Sequence, residues 1–324
     1  MRIVLFAAGE FAIPTLRSLA DPARPGHEIA GVITQPDRGS GRGRKSQPTP
    51  VRRMAEQLGL PVVPCENVNA PEARAHLRAL RAELGLVIAF GQKIGAEVRE
   101  LFPHQCVNLH ASILPKYRGA APFQWTVLNG DAEAGVTVFR LVDRMDAGPV
   151  YVIRRTGLRE DERACELHDR LAMIGVDAVR ATLDLLGQKP PADPTPQDDS
   201  QATKAPKLSR QDSPLHFDQP AAALVRRVHG LWDWPGAKCR YVPAETPERG
   251  ETVTLALARV GDRAQAGELP GELPGTIDYR RYVATRDGYL EILEIKPDGA
   301  RLMTFQDFVN GRHVRPGDRF EPLA

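Results

Sequence analysis

Near its start the sequence reads Arg2-Ile-Val-Leu-Phe-Ala7, continues through a helix-like stretch at Phe11–Leu19, and returns to Glu28-Ile-Ala-Gly-Val-Ile33. Short apolar runs separated by helix-length segments are typical of parallel β-strands joined by helices. The same alternation predicts further strands at Leu86–Phe90, Cys106–Leu109, Gly135–Leu141 and Val150–Arg155, and helices at Pro50–Leu58, Ala70–Glu83, Ile94–Leu101 and Ala164–Leu186. The first part of the chain is therefore predicted to be an α/β domain with a doubly wound, mainly parallel sheet.

The composition changes in the second half of the chain. Gly187–Ser200 contains Lys-Pro-Pro-Ala-Asp-Pro-Thr-Pro, which is typical of a linker. Beyond it, short β-like runs separated by glycine and proline predict a small, OB-like β-barrel. The predicted strands are Val253–Val260, Gly275–Asp278, Tyr282–Thr285, Tyr289–Ile295 and Pro316–Phe320, with helices at Pro220–His229 and Thr304–Arg312. We expect a first domain over residues 1–188, a linker over 189–206 and a β-barrel domain over 207–324.

The overall composition excludes several classes of protein. The chain has 324 residues, 42% of them hydrophobic, and a net charge of +2, which excludes a grossly basic nucleic-acid coat protein but permits a local basic patch. No apolar run approaches the roughly 20 residues that span a bilayer. Glu10 and Pro14 interrupt the first apolar run, which favours a buried strand over a signal peptide. The four cysteines are far apart, so we expect reduced thiols in a cytoplasmic protein and no zinc site. We also expect a monomer.

Asn108 and His110 are the first candidates for a chemical role. Residues i and i+2 of a strand point to the same face, so both side chains would project together at the carboxyl end of a central strand. Open α/β sheets bind ligands at that edge. With a downstream carboxylate, the pair supplies an amide, an imidazole and an acid without a serine or cysteine nucleophile beside the histidine. This set favours direct transfer of an acyl group to an amine over a covalent acyl-enzyme.

The spacing of these residues alone also allows purely structural roles for them. Asn108 could cap the strand, and His110 could be a buried core histidine with satisfied hydrogen bonds. Asp146 lies in a turn rich in glycine and proline, so its role could be to form the turn. Asp143 and Asp131 compete with it as the carboxylate, and the spacing alone does not choose among the three.

The densest basic segment is Arg38-Gly-Ser-Gly-Arg-Gly-Arg-Lys45. It matches neither a phosphate-binding loop nor a dinucleotide fingerprint, because no G-K-[ST] is present and no G-x-G-x-x-G follows the first strand. Glycines among arginines suit a loop that follows a phosphate backbone, and an ordinary solvated loop is the alternative. Lys204 and Lys207 add positive charge at the entry to the second domain.

Longer motifs make a resemblance recognisable. They are Asn108-Leu-His-Ala-Ser-Ile-Leu-Pro-Lys-Tyr-Arg-Gly-Ala-Ala-Pro122, Gly130-Asp-Ala-Glu-Ala-Gly-Val-Thr137 and Asp146-Ala-Gly148, with Thr34-Gln-Pro-Asp-Arg38 and Lys204-Ala-Pro-Lys-Leu208. With them the chain resembles the folate-dependent formyltransferases over nearly its whole length. The resemblance implies a Rossmann-like catalytic domain. The basic loop and the second domain are similar to those of the members that act on tRNA.

The resemblance also implies roles for individual residues. Asn108, His110 and Asp146 would be catalytic, with Asp146 orienting His110 and helping to move a proton. The cosubstrate would be 10-formyltetrahydrofolate, and no metal would be needed. Its site would be formed by Ser112, Ile113, Leu114 and Pro115, with Phe90 and Gly91 near the pterin. Contacts to tRNA would come from Arg38, Arg42, Arg44, Lys45, Lys204 and Lys207.

The implied activity is formyl transfer to the α-amino group of methionyl initiator tRNA. A sugar-nucleotide N-formyltransferase would use the same three residues and is the main rival. A catalytically silent folate- or RNA-binding protein is another, and the absent fingerprint disfavours a nicotinamide dehydrogenase. Two departures from the family pattern bear on substrate contacts: Ala7-Ala-Gly-Glu10 replaces the usual Gly-Thr-Pro, and Trp232-Asp-Trp-Pro235 replaces Asn-Pro-Trp-Pro.

Overall fold

The computed structural model describes residues 1–40, 45–262 and 273–323. The chain divides into two compact units, and each is built from separate stretches of sequence. Unit 1 comprises Met1–Pro122, Glu133–Thr156 and His168–Ala205, and unit 2 comprises Phe123–Ala132, Gly157–Leu167 and Pro206–Ala324. None of the helices in the described ranges is both long enough and apolar enough to cross a membrane.

The elements up to residue 205 alternate strands and helices. In chain order they are β1 (Arg2–Ala7), α1 (Ile13–Ala20), β2 (Glu28–Thr34), β3 (Arg38–Ser40), β4 (Lys45–Gln47), α2 (Pro50–Gln57), β5 (Val62–Pro64), α3 (Pro71–Ala79), β6 (Leu84–Ile88), α4 (Ala96–Arg99), β7 (Cys106–His110), β8 (Arg118–Gly119), α5 (Pro122–Asn129), β9 (Glu133–Arg140), β10 (Val150–Gly157), α6 (Ala164–Leu186) and β11 (Lys204–Ala205). This order matches the predicted alternation.

Unit 1 is organised around a seven-stranded sheet in the order β10-β9-β7-β6-β1-β2-β5. Strands β7, β6, β1, β2 and β5 are parallel, and β9 runs antiparallel to β7. Strands covered on both faces read as continuous apolar runs, and Ile3, Val4, Leu5 and Phe6 of β1 are all fully buried. The prediction of a mainly parallel α/β sheet is confirmed.

A cluster of aromatic rings lies in the core beneath the carboxyl end of the parallel strands. The Phe6 ring lies edge to face with Phe90, with centroids 5.6 Å apart, and with Phe102 at 6.1 Å. Edge-to-face pairs add stabilisation beyond the area they bury. This packing fixes the segment that leaves β6, which includes two of the predicted folate-site residues.

The remaining elements are α7 (Ala221–Leu231), β12 (Ala237–Val242), β13 (Glu251–Val260), β14 (Tyr282–Ala284), β15 (Tyr289–Pro297), β16 (Met303–Thr304), α8 (Phe305–Arg312) and β17 (Arg319–Pro322). Their strands form one antiparallel sheet in the order β14-β15-β13-β12-β17, with β16 beside β15, curled into a half-barrel. The prediction of a small β-barrel-like fold is confirmed. In its core, the buried Tyr241 hydroxyl donates to Asp318 Oδ2 at 2.6 Å.

Some predicted elements differ from those observed. Helix α3 ends at Ala79, before the predicted Glu83, because Arg81 has a left-handed φ of 47° that no helix can continue. Gly275–Asp278 is not a strand: it makes only isolated bridges, and the Asp278 carboxylate accepts the N–H groups of Arg280 and Tyr282 in a turn. The elements that were not predicted are helix α5 and strands β3, β4, β5, β8, β11, β12 and β16. Strand β12 nevertheless has an alternating pattern of burial.

The segment predicted as a linker makes ordered contacts in its second half. We call residues 195–205 the returning segment. Thr195 exchanges two backbone hydrogen bonds with Val150, and β11 pairs in parallel with β8. Residues 195–205 therefore belong structurally to unit 1, because their backbone groups find partners there that a solvated linker would lack.

Candidate active site

Asn108 and His110 lie at the carboxyl end of β7. Asn108 is half-buried and aligns with Val87 of the parallel neighbour β6 and with Phe139 of β9. Because the two residues are separated by one position on a strand, their side chains point to the same face. Asn108 has no hydrogen-bond partner for its side-chain amide among the described residues, so this amide is available to a ligand.

The ring of His110 is buried, with 6% of its surface exposed. Its Nε2 lies 2.9 Å from the carbonyl oxygen of Tyr117. A carbonyl only accepts, so Nε2 carries the proton of this bond. Nδ1 faces Asp146 Oδ2 at 3.9 Å, which is within ion-pair range but too long for a hydrogen bond. Nδ1 is therefore the ring atom left for a third group.

Asp146 is held in an unusual backbone conformation next to this histidine. Its φ is 52°, in the left-handed region that few residues other than glycine adopt, and its Oδ2 accepts the Gly119 N–H at 2.8 Å. Its Oδ1 has no hydrogen-bond donor in the part of the chain that the structure describes. One carboxylate oxygen is thus fixed, and the other is free to accept a hydrogen bond.

The rival carboxylates have other surroundings. Asp143 is exposed and pairs with Arg99 at 2.7 Å, and this hydrogen bond lowers the pKa of Asp143. Asp131 follows α5 and belongs to unit 2. Of the three candidates within the described ranges, Asp146 is the one in ion-pair range of His110.

The loop after β7 is organised from within by hydrogen bonds. Ser112 and Leu114 are almost fully buried, and the Ser112 hydroxyl donates to the Lys116 carbonyl at 2.7 Å. Thr137 of β9 ties the loop down: its hydroxyl donates to the Ser112 carbonyl at 2.7 Å and accepts the Leu114 N–H at 3.1 Å. Of the four predicted folate-site residues in this loop, Ile113 and Pro115 are only half-buried, so their side chains are within reach of a ligand.

Phe90 and Gly91 follow β6 at the same edge of the sheet. The Phe90 ring is buried in the core, and its carbonyl accepts the side-chain amide of Gln35 at 2.8 Å. Gly91 is exposed and has a φ of 79°, and a Cβ there would lie 2.5 Å from Gln35 Nε2. Only the backbone of these two residues is therefore open to a ligand, and glycine is needed at position 91.

The predicted tRNA-binding residues are only partly described. Arg42 and Arg44 lie outside the described residues. Arg38 and Lys45 lie on the paired strands β3 and β4. The base of this hairpin is fixed by Asp37, whose two carboxylate oxygens each accept from Arg52 at 2.9 Å.

Lys204 and Lys207 are exposed, on unit 1 and unit 2 respectively. Their positive charges are thus open to solvent. This exposure is what a contact with a phosphate backbone would require.

The departure Trp232-Asp-Trp-Pro235 forms an aromatic feature of unit 2. Trp234 is 52% exposed, and the Arg210 guanidinium lies 5.9 Å from the centre of its ring. The Trp234 carbonyl accepts the side-chain amide of Gln124 at 2.7 Å, which fixes the backbone of this turn. The other departure, at residues 7–10, places the Gly9 N–H 3.4 Å from the Ala89 carbonyl.

Several residues of the site had no predicted role. They supply backbone or supporting contacts rather than reactive groups: Gln35, Tyr117, Gly119, Thr137, Gln197 and Thr203. Gly119 carried the clearest sequence signal, because a glycine within a recognised motif can mark a position that no side chain fits. Its φ is 136°, and a Cβ added there would lie 2.4 Å from the carbonyl oxygen of Ala205. In residues 1–40, 45–262 and 273–323, no three His, Cys, Asp or Glu residues are grouped to hold a metal ion.

Comparison with known families identifies the class of protein that this fold and site define. Residues 1–183 match the Formyl transferase family model, and residues 207–313 match the model of the Formyl transferase C-terminal domain. Methionyl-tRNA formyltransferase from Halorhodospira halophila is 41% identical over 318 residues, and that from Solibacter usitatus is 38% identical over 321. Each alignment covers 98% of this chain and 98% of the relative. The chain belongs to the formyltransferase family, among the methionyl-tRNA formyltransferases.

Solved structures share the fold at lower identity. The N-formyltransferase from Helicobacter canadensis, in complex with folinic acid and dTDP-3-aminofucose, has a TM-score of 0.63 at 13% identity, covering 93% of this chain and 99% of that one. HypX from Aquifex aeolicus, in complex with tetrahydrofolic acid, has a TM-score of 0.58 at 17% identity, covering 95% of this chain and 46% of HypX. At these identities the likeness concerns the fold.

Proposed function

We propose that this protein transfers the formyl group of 10-formyltetrahydrofolate to the α-amino group of methionyl initiator tRNA. The observation that carries the proposal is the free amide of Asn108 beside His110, whose Nδ1 faces Asp146 at 3.9 Å. Full-length relatives at 41% and 38% identity that carry this activity in their name support the choice of substrate.

The proposed reaction joins the amine nitrogen to the formyl carbon and breaks the bond from that carbon to N10 of the folate. The cosubstrate supplies an activated formyl carbon. Asn108 donates a hydrogen bond to the formyl oxygen as negative charge develops there, and His110, in the form protonated at both ring nitrogens, donates a second one from Nδ1. The free Oδ1 of Asp146 accepts the proton that the amine loses, for return to the N10 leaving group.

The folate would be held by surfaces that the loop geometry leaves open. Ile113 and Pro115 offer apolar contact, and the backbone at Phe90–Gly91 offers polar groups to the pterin. Ser112 and Leu114 would act indirectly, because both are buried and bonded within the loop. Apolar lining with a few fixed polar groups is typical of sites for ligands of this size.

Binding of tRNA would combine charge with stacking. The basic segment that includes Arg42 would follow the phosphate backbone, and Lys204 and Lys207 would add to it. Trp234, half-exposed under Arg210, suits the stacking of an unpaired base. The proposed substrate is a component of translation, so we expect the protein to act in the cytoplasm, as a monomer.

The test is transfer of a labelled formyl group from 10-formyltetrahydrofolate. Methionyl initiator tRNA should be formylated, and elongator methionyl-tRNA and an amino-sugar nucleotide are the controls. Preference for the amino-sugar nucleotide would replace this proposal with a sugar-nucleotide N-formyltransferase. No transfer to either acceptor would leave a binding protein without this activity.

The contribution of the basic segment can be measured separately. If this segment makes about four phosphate contacts, a plot of log affinity for tRNA against log salt concentration should have a slope of roughly −3. Arg42→Ala should weaken tRNA binding and reduce this slope by about one, while folate binding stays unchanged. Unchanged tRNA affinity would remove the segment from the proposed interface.

A further inference from the structure

Two loops of unit 1 carry the groups that position His110 and Asp146. The first, residues 117–119, supplies the Tyr117 carbonyl to His110 Nε2 and the Gly119 N–H to Asp146 Oδ2. The second, residues 146–148, carries Asp146 itself. The distance between Asp146 and His110 therefore depends on how these two loops are held relative to each other.

Gln197 of the returning segment links the two loops through its side chain. Its Nε2 donates to the carbonyl of Asp146 at 2.8 Å and to that of Gly148 at 2.7 Å. Its Oε1 accepts from Arg118 Nε at 3.2 Å and from Arg118 Nη2 at 2.6 Å. The amide thus uses both of its Nε2 protons on one loop and its oxygen on the other, so all of its bonds serve this connection.

The rest of the returning segment holds Gln197 in place without contacting Asp146. The Thr203 hydroxyl accepts the Tyr117 N–H at 2.8 Å, and the Thr203 carbonyl accepts the Arg118 N–H at 2.9 Å. On its other side, Thr195 is paired with Val150. Gln197 is anchored from both directions, which is what a side chain needs to fix another group accurately.

The conformation of Asp146 gives this connection a function. A left-handed φ at a residue other than glycine persists only when the surroundings impose it. The bonds to the carbonyls of residues 146 and 148 are made on both sides of Ala147, so they hold the turn that points the carboxylate toward His110. Without them, the turn can relax and the carboxylate can move away from Nδ1.

We propose that Gln197 is a positioning residue for formyl transfer, acting through Asp146. This inference rests on the proposed function for its kinetic consequences, but its structural consequence can be measured independently. Misplacement of a reacting group by about 1 Å can cost on the order of 100-fold in rate. We expect Gln197→Ala to lower kcat about 10- to 100-fold, with the KM of both substrates unchanged within twofold.

The matched control is Gln201→Ala. Gln201 lies in the same segment and is exposed, and Asp198 is the one acceptor of its side chain in the described part of the chain. It should keep the wild-type kcat, KM and thermal midpoint. Gln197→Glu is the second variant, because it keeps an acceptor for Arg118 but turns a carboxylate toward two carbonyls. Its kcat should fall at least as far as that of Gln197→Ala.

A double mutant separates positioning from general structural support. In an Asp146→Ala background, which keeps the backbone carbonyl but lacks the carboxylate, Gln197→Ala should cause no further loss of residual kcat. If Gln197→Ala lowers kcat by the same factor in both backgrounds, it does not act through Asp146 and the proposal is overturned. A kcat equal to that of Gln201→Ala overturns it as well.

Hydrogen exchange tests the same connection without catalysis. The Gly119 N–H, which donates to Asp146 Oδ2, should exchange faster in Gln197→Ala than in Gln201→Ala. Unchanged protection would overturn the proposal even if the wild-type protein showed no formyl transfer. Absence of transfer in the wild type would count against the proposed function alone. If Gln197→Ala does not fold, Gln197→Asn, which is one methylene shorter, is judged by the same criteria.

Discussion

Thr137→Val is the most informative single change outside the three proposed catalytic residues. Valine keeps the shape of the side chain but removes the hydroxyl that pairs with the Ser112 carbonyl and the Leu114 N–H. Thr137 is fully buried, so water cannot replace either bond. A buried polar group left unpaired costs about 1–3 kcal/mol, so two such groups should cost at least about 2 kcal/mol.

The expected result has a stability part and a functional part. The urea unfolding midpoint should fall by an amount that corresponds to about 2 kcal/mol or more. Because the freed loop includes Ile113 and Pro115, the KM for 10-formyltetrahydrofolate should rise about tenfold, which corresponds to about 1.4 kcal/mol. The KM for methionyl-tRNA should change much less.

Thr182→Val is the matched control for this experiment. Thr182 is also buried, but among the described residues its hydroxyl has a single partner, the carbonyl of Ala178 within α6. That carbonyl also accepts a backbone hydrogen bond of the helix. Loss of the bond from the Thr182 hydroxyl should therefore cost less than about 1 kcal/mol. Equal destabilisation by the two changes, with the folate KM unaltered by Thr137→Val, would refute the role of Thr137 as the organiser of the loop.

Three further changes probe other parts of the molecule. Asn108→Ala should lower kcat about 100- to 1000-fold in the formyl-transfer assay with little change in KM, because an oxyanion donor acts mainly in the transition state. Burial lowers the pKa of His229, whose Nε2 accepts the Ala258 N–H at 3.3 Å. The contribution of the neutral imidazole to the free energy of unfolding is therefore complete above about pH 6.5 and is lost as the pH falls below that value. Urea titrations from pH 7.5 to 5 should show this loss, and His229→Gln should reduce it. Tyr241→Phe removes a buried bond to Asp318 and should cost about 1.5–3 kcal/mol by the same titration at neutral pH.

The sequence was enough to single out Asn108 and His110 as proposed catalytic residues, because both follow local rules. The i, i+2 spacing of Asn108 and His110 on an apolar run places them on one face of a strand. The alternation of strands and helices places that strand inside a parallel sheet. Both inferences need only the periodicity of a few residues. The choice of Asp146 over Asp143 came from family resemblance, because spacing does not say which of two acids in one turn faces the histidine.

Supporting contacts could not be inferred in the same way. Gln197 lies in a stretch rich in proline and acidic residues that is typical of a linker, and its partners are 49 to 79 residues away in the chain. Thr137 supports a loop that lies 23 to 25 residues earlier. Neither residue is exceptional in its local sequence, so no periodicity or composition distinguishes it from its neighbours.

The sequence by itself determined the main alternation of strands and helices in the first part of the chain, the change to a β-rich second half, and the candidates for groups that could do chemistry. These depend on the burial preference and chemistry of each residue. Only the tertiary structure decided which ring nitrogen of His110 is left for a third group, which oxygen of Asp146 has no donor among the described residues, and which loop side chains a ligand can reach. Those features depend on hydrogen bonds between distant segments, and such bonds are specified by the folded arrangement of the backbone rather than by any local pattern.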